Sequence, residues 1–214
     1  MIKFVYFDVA QTLLHKPDVW TGIEGVLRNR GHAIPLPIIR TRHRIVSELV
    51  RFPDRTDRTF YDGFNTQFLL ALGLSPEAGL AEAIFEACTY KPWVPFEDTA
   101  FIDGMEGRVG ILSNWDSSLS SKLAQHFSRS FDIILGSQDI GVQKPDPGLF
   151  RMAVERTGLR AEEVLFVGDS IRLDYMPAEA AGIRSVLIDR EDDYPYFNGR
   201  RIRSFHELPR FMAA

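Results

Sequence analysis

Five short apolar runs punctuate the chain, at 2–7, 109–112, 131–135, 164–167 and 184–188. None alternates polar with apolar residues as a half-exposed strand does, so each reads as a strand buried on both faces of a parallel sheet. Helical periodicity fills the gaps between the last four runs, at 117–127, 147–157 and 172–181. Strands alternating with helices predict an α/β fold with a doubly wound, Rossmann-like parallel sheet. The tail continues with an acidic surface loop at 191–195, then a last short strand and helix over 202–212.

The first interval breaks this rhythm. About ninety residues separate the first strand from the second, too many for one crossover, and they read as consecutive helices at 18–30, 37–52, 57–72 and 76–90. Gly31, the Pro53-Asp54 pair, Gly73 and Pro92 supply the stop signals. The predicted organisation is therefore a Rossmann-like core at 1–14 and 98–214 with an inserted helical unit at 15–97. The insert carries ten aromatic residues, among them Phe60, Tyr61, Phe64, Phe68 and Trp93, expected to form its packed centre. At about 100° per residue, Ile38, Ile45, Leu49 and Phe52 form the expected core stripe of the second helix. Arg40, Arg44 and Arg51 fall opposite, as a solvated face or as a grip on an anionic substrate. Arg42 falls within the apolar face, where an unpaired charge is costly, so it either pairs with an acid or lines a cleft.

Composition narrows the function classes. The 214 residues are 45% hydrophobic and 25% charged, as in ordinary globular proteins. A net charge of -4 gives no general attraction to nucleic acid. The lone Cys88 excludes an internal disulfide and a cysteine-built zinc site, and it fits a reducing compartment. No apolar run approaches the ~20 residues of a membrane span. An acid, Asp8, interrupts the N-terminal apolar run, unlike a cleavable signal. A cytoplasmic protein with no membrane or nucleic-acid partner is expected; oligomeric state stays open.

Chemistry gathers at the strand ends. In Phe7-Asp8-Val9-Ala10-Gln11-Thr12-Leu13 an acid follows the first strand directly, at the sheet edge where ligands bind in open α/β folds. Alone, Asp8 reads equally well as a turn or cap residue. It has company: Ser113 and Asn114 close the second strand, Lys144 follows the third, and Asp169 follows the fourth, with Asp174 five residues on. That set suits transfer of an anionic group onto an acid nucleophile. Acids can hold Mg²⁺, which offsets repulsion between Asp8 and an incoming phosphate. Ser113 and Lys144 can neutralise its equatorial oxygens while Asp8 attacks and forms an acyl phosphate, later cleaved by water.

In the order and surroundings of these residues the chain resembles the haloacid dehalogenase superfamily of hydrolases, mostly Mg²⁺-dependent phosphatases, over essentially its whole length. The first family motif matches at Asp8 and Thr12, the second at Ser113, the third at Lys144 and the fourth at Gly168-Asp169 with Asp174. The resemblance implies a type-1 helical cap and hydrolysis of a small phosphorylated or otherwise anionic molecule. It also implies an Asp8 nucleophile, anion contacts from Ser113, Asn114 and Lys144, and Mg²⁺ held by Asp8, the Ala10 carbonyl, Asp169 and Asp174.

Two departures stand out. Family phosphatases carry a second acid two residues after the nucleophile, where this chain has Ala10. Its loss removes an acid–base contribution of ~10²–10⁴-fold for leaving groups that need a proton. Gln11 also replaces a common glycine. Three readings follow. One is a phosphatase favouring good leaving groups, or one that borrows an acid such as His15. Another is a 2-haloacid dehalogenase, whose halide leaves unprotonated and whose cap arginine Arg40 could supply. The third is a weak or inactive member that keeps phospho-ligand binding. A phosphonoacetaldehyde hydrolase needs a cap lysine, and none lies between Lys16 and Lys91.

Overall fold

A computed structural model of the chain describes residues 1–53, 56–77, 79–89 and 91–213. Asp54 and Tyr90, used for helix boundaries above, lie outside the described residues. The chain forms two compact units, Met1–His15 with Pro95–Ala214, and Lys16–Val94.

The first unit begins with β1 (Phe4–Phe7) and β2 (Leu14–His15) and resumes at Pro95, the second residue of β3 (Val94–Pro95). It continues through α5 (Ala100–Asp103), β4 (Arg108–Ser113), α6 (Leu119–His126), β5 (Ile133–Gly136), α7 (Ser137–Ile140) and α8 (Pro147–Thr157). Then come β6 (Val164–Gly168), α9 (Met176–Ala180), β7 (Arg184–Ile188), β8 (Arg201–Ile202) and α10 (Pro209–Met212). Six strands form one parallel sheet in the order β5-β4-β1-β6-β7-β8. The fold is the α/β, Rossmann-like one expected. From β1 the chain first builds outward through β4 and β5, then crosses back to build the other side from β6. The carboxyl ends of β1, β4 and β6 therefore meet at the point where strand order reverses, the binding crevice of such sheets.

Strand β1 is wholly buried and carries large aromatics that the sheet must accommodate. Phe4 and Tyr6 pack with Leu112, Phe150 and Phe166. The Tyr6 hydroxyl donates to the Ala153 carbonyl at 3.0 Å, so its burial leaves no orphaned donor. Gly110 on neighbouring β4 makes the space: a Cβ there would stand 2.6 Å from the Tyr6 ring and 2.8 Å from the Phe4 ring.

The second unit contains α1 (Asp18–Asn29), α2 (Leu36–Leu49), α3 (Arg58–Ala71) and α4 (Leu80–Cys88). Its core includes Ile23, Leu27, Ile39, Val46, Phe64, Phe68 and Ile84, with Phe60 and Tyr61 packed against it. The expected stripe on α2 is displaced by one position. Ile38, Ile45 and Leu49 are exposed at 48%, 40% and 76%, whereas Ile39 and Val46 are buried. The cause is His43. Absent from the expected stripe, its ring packs among Trp20, Phe64 and Phe68, with centroids 5.0, 4.8 and 5.4 Å away. The inward face is thus 39, 43 and 46, with Ile39 and Val46 buried and His43 half-buried between them, and Arg42 stands on an exposed one, so burial no longer demands a partner for it.

Burial lowers the His43 pKa to about 3 from an ordinary 6.5, with neighbouring Arg44 adding repulsion. Below pH 6.5 the unfolded chain takes up a proton that the folded unit refuses, so stability present above that pH is lost progressively towards pH 3. Urea unfolding at a series of pH values should show His43→Leu losing less stability than the parent between pH 7 and 4.

Candidate functional site

Asp8 leaves the end of β1 with its amide donating to the Val167 carbonyl on β6 at 2.9 Å. A buried cluster assembles around it. Ser113 Oγ donates to Asp8 Oδ1 at 2.9 Å, and Lys144 Nζ donates to the same oxygen at 2.6 Å. Lys144 also reaches Asp174 Oδ1 at 2.6 Å. With one Asp8 oxygen doubly held, Oδ2 accepts no hydrogen bond among the described residues and is the oxygen left for chemistry.

Local sequence explains how Lys144 arrives there. The Lys144 amide donates to Asn114 Oδ1 at 2.7 Å, while Asn114 Nδ2 donates to the Lys144 carbonyl at 3.0 Å. On the other side Asp146 caps α8 by accepting from the Gly148 amide at 2.7 Å, and Pro147 occupies the first turn without losing a needed donor. The lysine is therefore pinned between β4 and a helix start. Asn114, expected at the anion, spends both ends of its amide on the Lys144 backbone and acts by holding that lysine.

Asp174 is placed by a π-helical turn, Ile171–Tyr175, closed by the Tyr175 amide donating to the Ser170 carbonyl at 3.0 Å. Such turns often mark functional sites. Here it folds Asp174 back so that Oδ2 accepts from the Ser170 amide at 3.0 Å. Gly168 permits the approach, since a Cβ there would lie 2.4 Å from Asp174 Cγ. Thr12 Oγ1 donates to Asp169 Oδ1 at 3.3 Å, joining the turn after Asp8 to the second acid strand.

Asp8, Asp169 and Asp174 each bring a carboxylate oxygen within 4.8 Å of the others. Burial pushes the Asp174 carboxyl up to about 7; Lys144 opposes this, while Asp8 and Asp169 add repulsion. Burial acts to lower Lys144, but Asp174 and Asp8 outweigh it and hold the ammonium well above its ordinary pKa. When all three acids are ionised they face one ammonium, a deficit of two positive charges in a buried pocket. A divalent hard cation fits both that charge and the all-oxygen donor set. The Ala10 carbonyl accepts no hydrogen bond among the described residues.

The remaining expected residues lie elsewhere. Half-buried His15, on β2, stacks on Phe96 with centroids 3.9 Å apart and an interplanar angle of 11°. Burial and nearby Arg190 lower its pKa. Arg40 and Arg42 sit on α2 of the second unit, the first half-buried and the second exposed. Sequence reasoning passed over Ser170, Asp189 and Arg190. Asp189 is fully buried and accepts from the Asp193 and Tyr194 amides at 2.8 and 3.0 Å, shaping the acidic loop. Both Asp189 and Arg190 follow a strand, the positional signal that singled out Asp8 and Asp169.

Known proteins resemble the chain over most of its length. A family profile described as haloacid dehalogenase-like hydrolase matches residues 2–182. A glyceraldehyde 3-phosphate phosphatase of Methanopyrus kandleri is 34% identical over 242 aligned positions, covering 100% of this chain and 99% of that protein. A phosphoserine phosphatase of Thermus thermophilus is 37% identical over 129 positions, 55% of this chain and 50% of the relative. The chain spans half of that relative's length, and about a third of several others. A crystal structure of a HAD phosphatase from Thermococcus onnurineus superposes with a TM-score of 0.60 at 24% identity, over 99% of this chain and 98% of that one, and supports the fold.

The contact between Gly168 and Asp174 gives a direct test. Gly168→Ala should lower stability by about 1–3 kcal/mol in denaturant titration, the usual cost of overpacking, because neither strand nor π-turn can yield freely.

Proposed function

The chain belongs to the haloacid dehalogenase-like hydrolases, and from that premise we propose that it hydrolyses a small phosphorylated metabolite through a phosphoryl group carried on Asp8. The observation carrying this reading is the double hold on Asp8 Oδ1 by Ser113 and Lys144 within a buried acid cluster. Asp8, Asp169 and the Ala10 carbonyl would hold Mg²⁺, supported by Asp174, whose two oxygens already engage Lys144 and Ser170. When bound, the ion offsets repulsion between the Asp8 carboxylate and the phosphoryl oxygens.

The chain's own groups then divide the work. Asp8 Oδ2 forms a bond to phosphorus as the bond to the leaving oxygen breaks, and the leaving group departs with the electron pair. Ser113 and Lys144 orient the nucleophile and stabilise charge on the transferring group. Water next attacks phosphorus, releases the Asp8 carboxylate and yields phosphate. Ala10 can neither protonate the leaving oxygen nor take a proton from that water. Acyl and aryl phosphates, whose leaving groups depart as stable anions, are therefore the favoured class. Alkyl phosphates are slow, and hydrolysis of the phosphoryl-Asp8 limits turnover. In this reading residues 15–97 form the cap that selects the substrate, with Arg40, Arg42 and His15 as candidate contacts to its anionic part.

The dehalogenase reading shares the missing acid at Ala10 but leaves the three clustered carboxylates with Lys144 alone to balance them. Metal-independent release of halide from 2-chloropropionate would support it and count against the phosphatase.

With Mg²⁺ and an aryl phosphate, rapid mixing should show a burst of phenol equal to the enzyme concentration, followed by slow turnover; Asp8→Asn should abolish both. Phosphate binding without a burst would instead identify a binding protein. Ala10→Asp should raise steady-state hydrolysis of an alkyl phosphate by about 10²–10⁴-fold, the size of the restored acid–base contribution.

A further inference from the structure

Arg190 stands just beyond β7 and has no part in the chemistry above, yet it makes an unusual set of contacts. Its guanidinium carbon lies 3.8 Å from the centroid of the Phe96 ring and 4.9 Å from that of Phe205. Nη2 and Nε donate to Asp98 Oδ1 at 2.8 and 3.3 Å. Asp98 Oδ2 accepts from the Phe205 amide at 2.9 Å, so the carboxylate is itself fixed. The guanidinium then turns to the backbone: Nη2 donates to the Thr12 carbonyl at 3.0 Å and Nη1 to the Gln11 carbonyl at 3.4 Å.

Those carbonyls belong to the turn that follows the nucleophile. The turn is tight, with the Leu13 and Leu14 amides both donating to the Val9 carbonyl at 2.8 and 2.9 Å. It is also strained, because Gln11 has φ 60, the left-handed region where a side chain costs roughly 1–2 kcal/mol. Two functional atoms depend on it: the Ala10 carbonyl, and the Thr12 hydroxyl that bonds Asp169. An ion pair with Asp98 would need only charge. Gripping two successive carbonyls as well needs a planar fork of donors, which lysine lacks.

We infer that Arg190 is a positioning residue for the cation site: by clamping the Gln11 and Thr12 carbonyls against Asp98, it holds the strained turn that presents the Ala10 carbonyl and orients Asp169 through Thr12. It touches neither ion nor substrate. The inference rests on the reading of the acid cluster as a metal site, and it extends that site to a residue 182 positions from Asp8 in the 214-residue chain.

The test measures Mn²⁺ binding to the full chain by electron paramagnetic resonance, without substrate. Arg190→Met should weaken binding by about 10–100-fold, the range found when outer partners of metal ligands are removed. Arg190→Lys, keeping charge without the fork, should fall between it and the parent. Arg201→Met provides the control. Arg201 anchors Asp189, Asp192 and the Tyr194 carbonyl on the neighbouring loop, and its loss should leave affinity unchanged. Parental affinity in Arg190→Met, or an equal loss in Arg201→Met, overturns the inference while the metal-site reading stands. Should Arg190→Met fail to fold, parental affinity in Arg190→Lys overturns it instead. Asp169→Asn tests the underlying reading: it should abolish binding, and unchanged binding there overturns both.

Discussion

Lys144 Nζ stands 2.6 Å from Asp8 Oδ1 and 2.6 Å from Asp174 Oδ1, so one buried ammonium spans two carboxylates carried by different segments of the sheet edge. Burying these charges is expensive, and the attraction between them returns little net stability. What the arrangement secures is position. With the ammonium present, each carboxylate has an orientation set by a short charged hydrogen bond; without it, the pocket would hold only mutually repelling acids. The surplus of negative charge that remains is what makes the site receptive to a divalent cation.

The rigidity of that contact comes from ordinary secondary-structure devices placed nearby. A reciprocal amide clamp from Asn114 fixes the Lys144 backbone, and a capped helix begins three residues later. A π-turn and an obligatory glycine place Asp174. None of these groups needs to touch a substrate. They remove freedom from those that do, which is how a preorganised site avoids rearranging during reaction.

Much of this was legible in the chain. Buried parallel strands announce themselves as uninterrupted apolar runs, and chemistry that follows such a run lands at the ligand-binding edge. That logic found Asp8, Ser113, Lys144 and Asp169. It failed where a side chain's partner lies far along the sequence. Asn114 reads as a group facing a ligand until Lys144 folds beside it. Arg190 carries no signal of its own until Asp98 and the turn after β1 surround it. On α2 the error was of kind rather than distance: a histidine outside the expected stripe sits among aromatic rings, and the buried face is rotated by one residue. Periodicity weighs residues by type, whereas packing weighs them by what surrounds them.

The Phe96 amide donates to the Leu13 carbonyl at 3.1 Å, so the polypeptide re-enters the first unit next to where it left. Everything between is, topologically, a long excursion from two adjacent points. Such a junction asks almost nothing of the material placed in it except that its own ends lie close together. That material can be lengthened, shortened or exchanged at little cost to the folding of the six strands and their acidic edge.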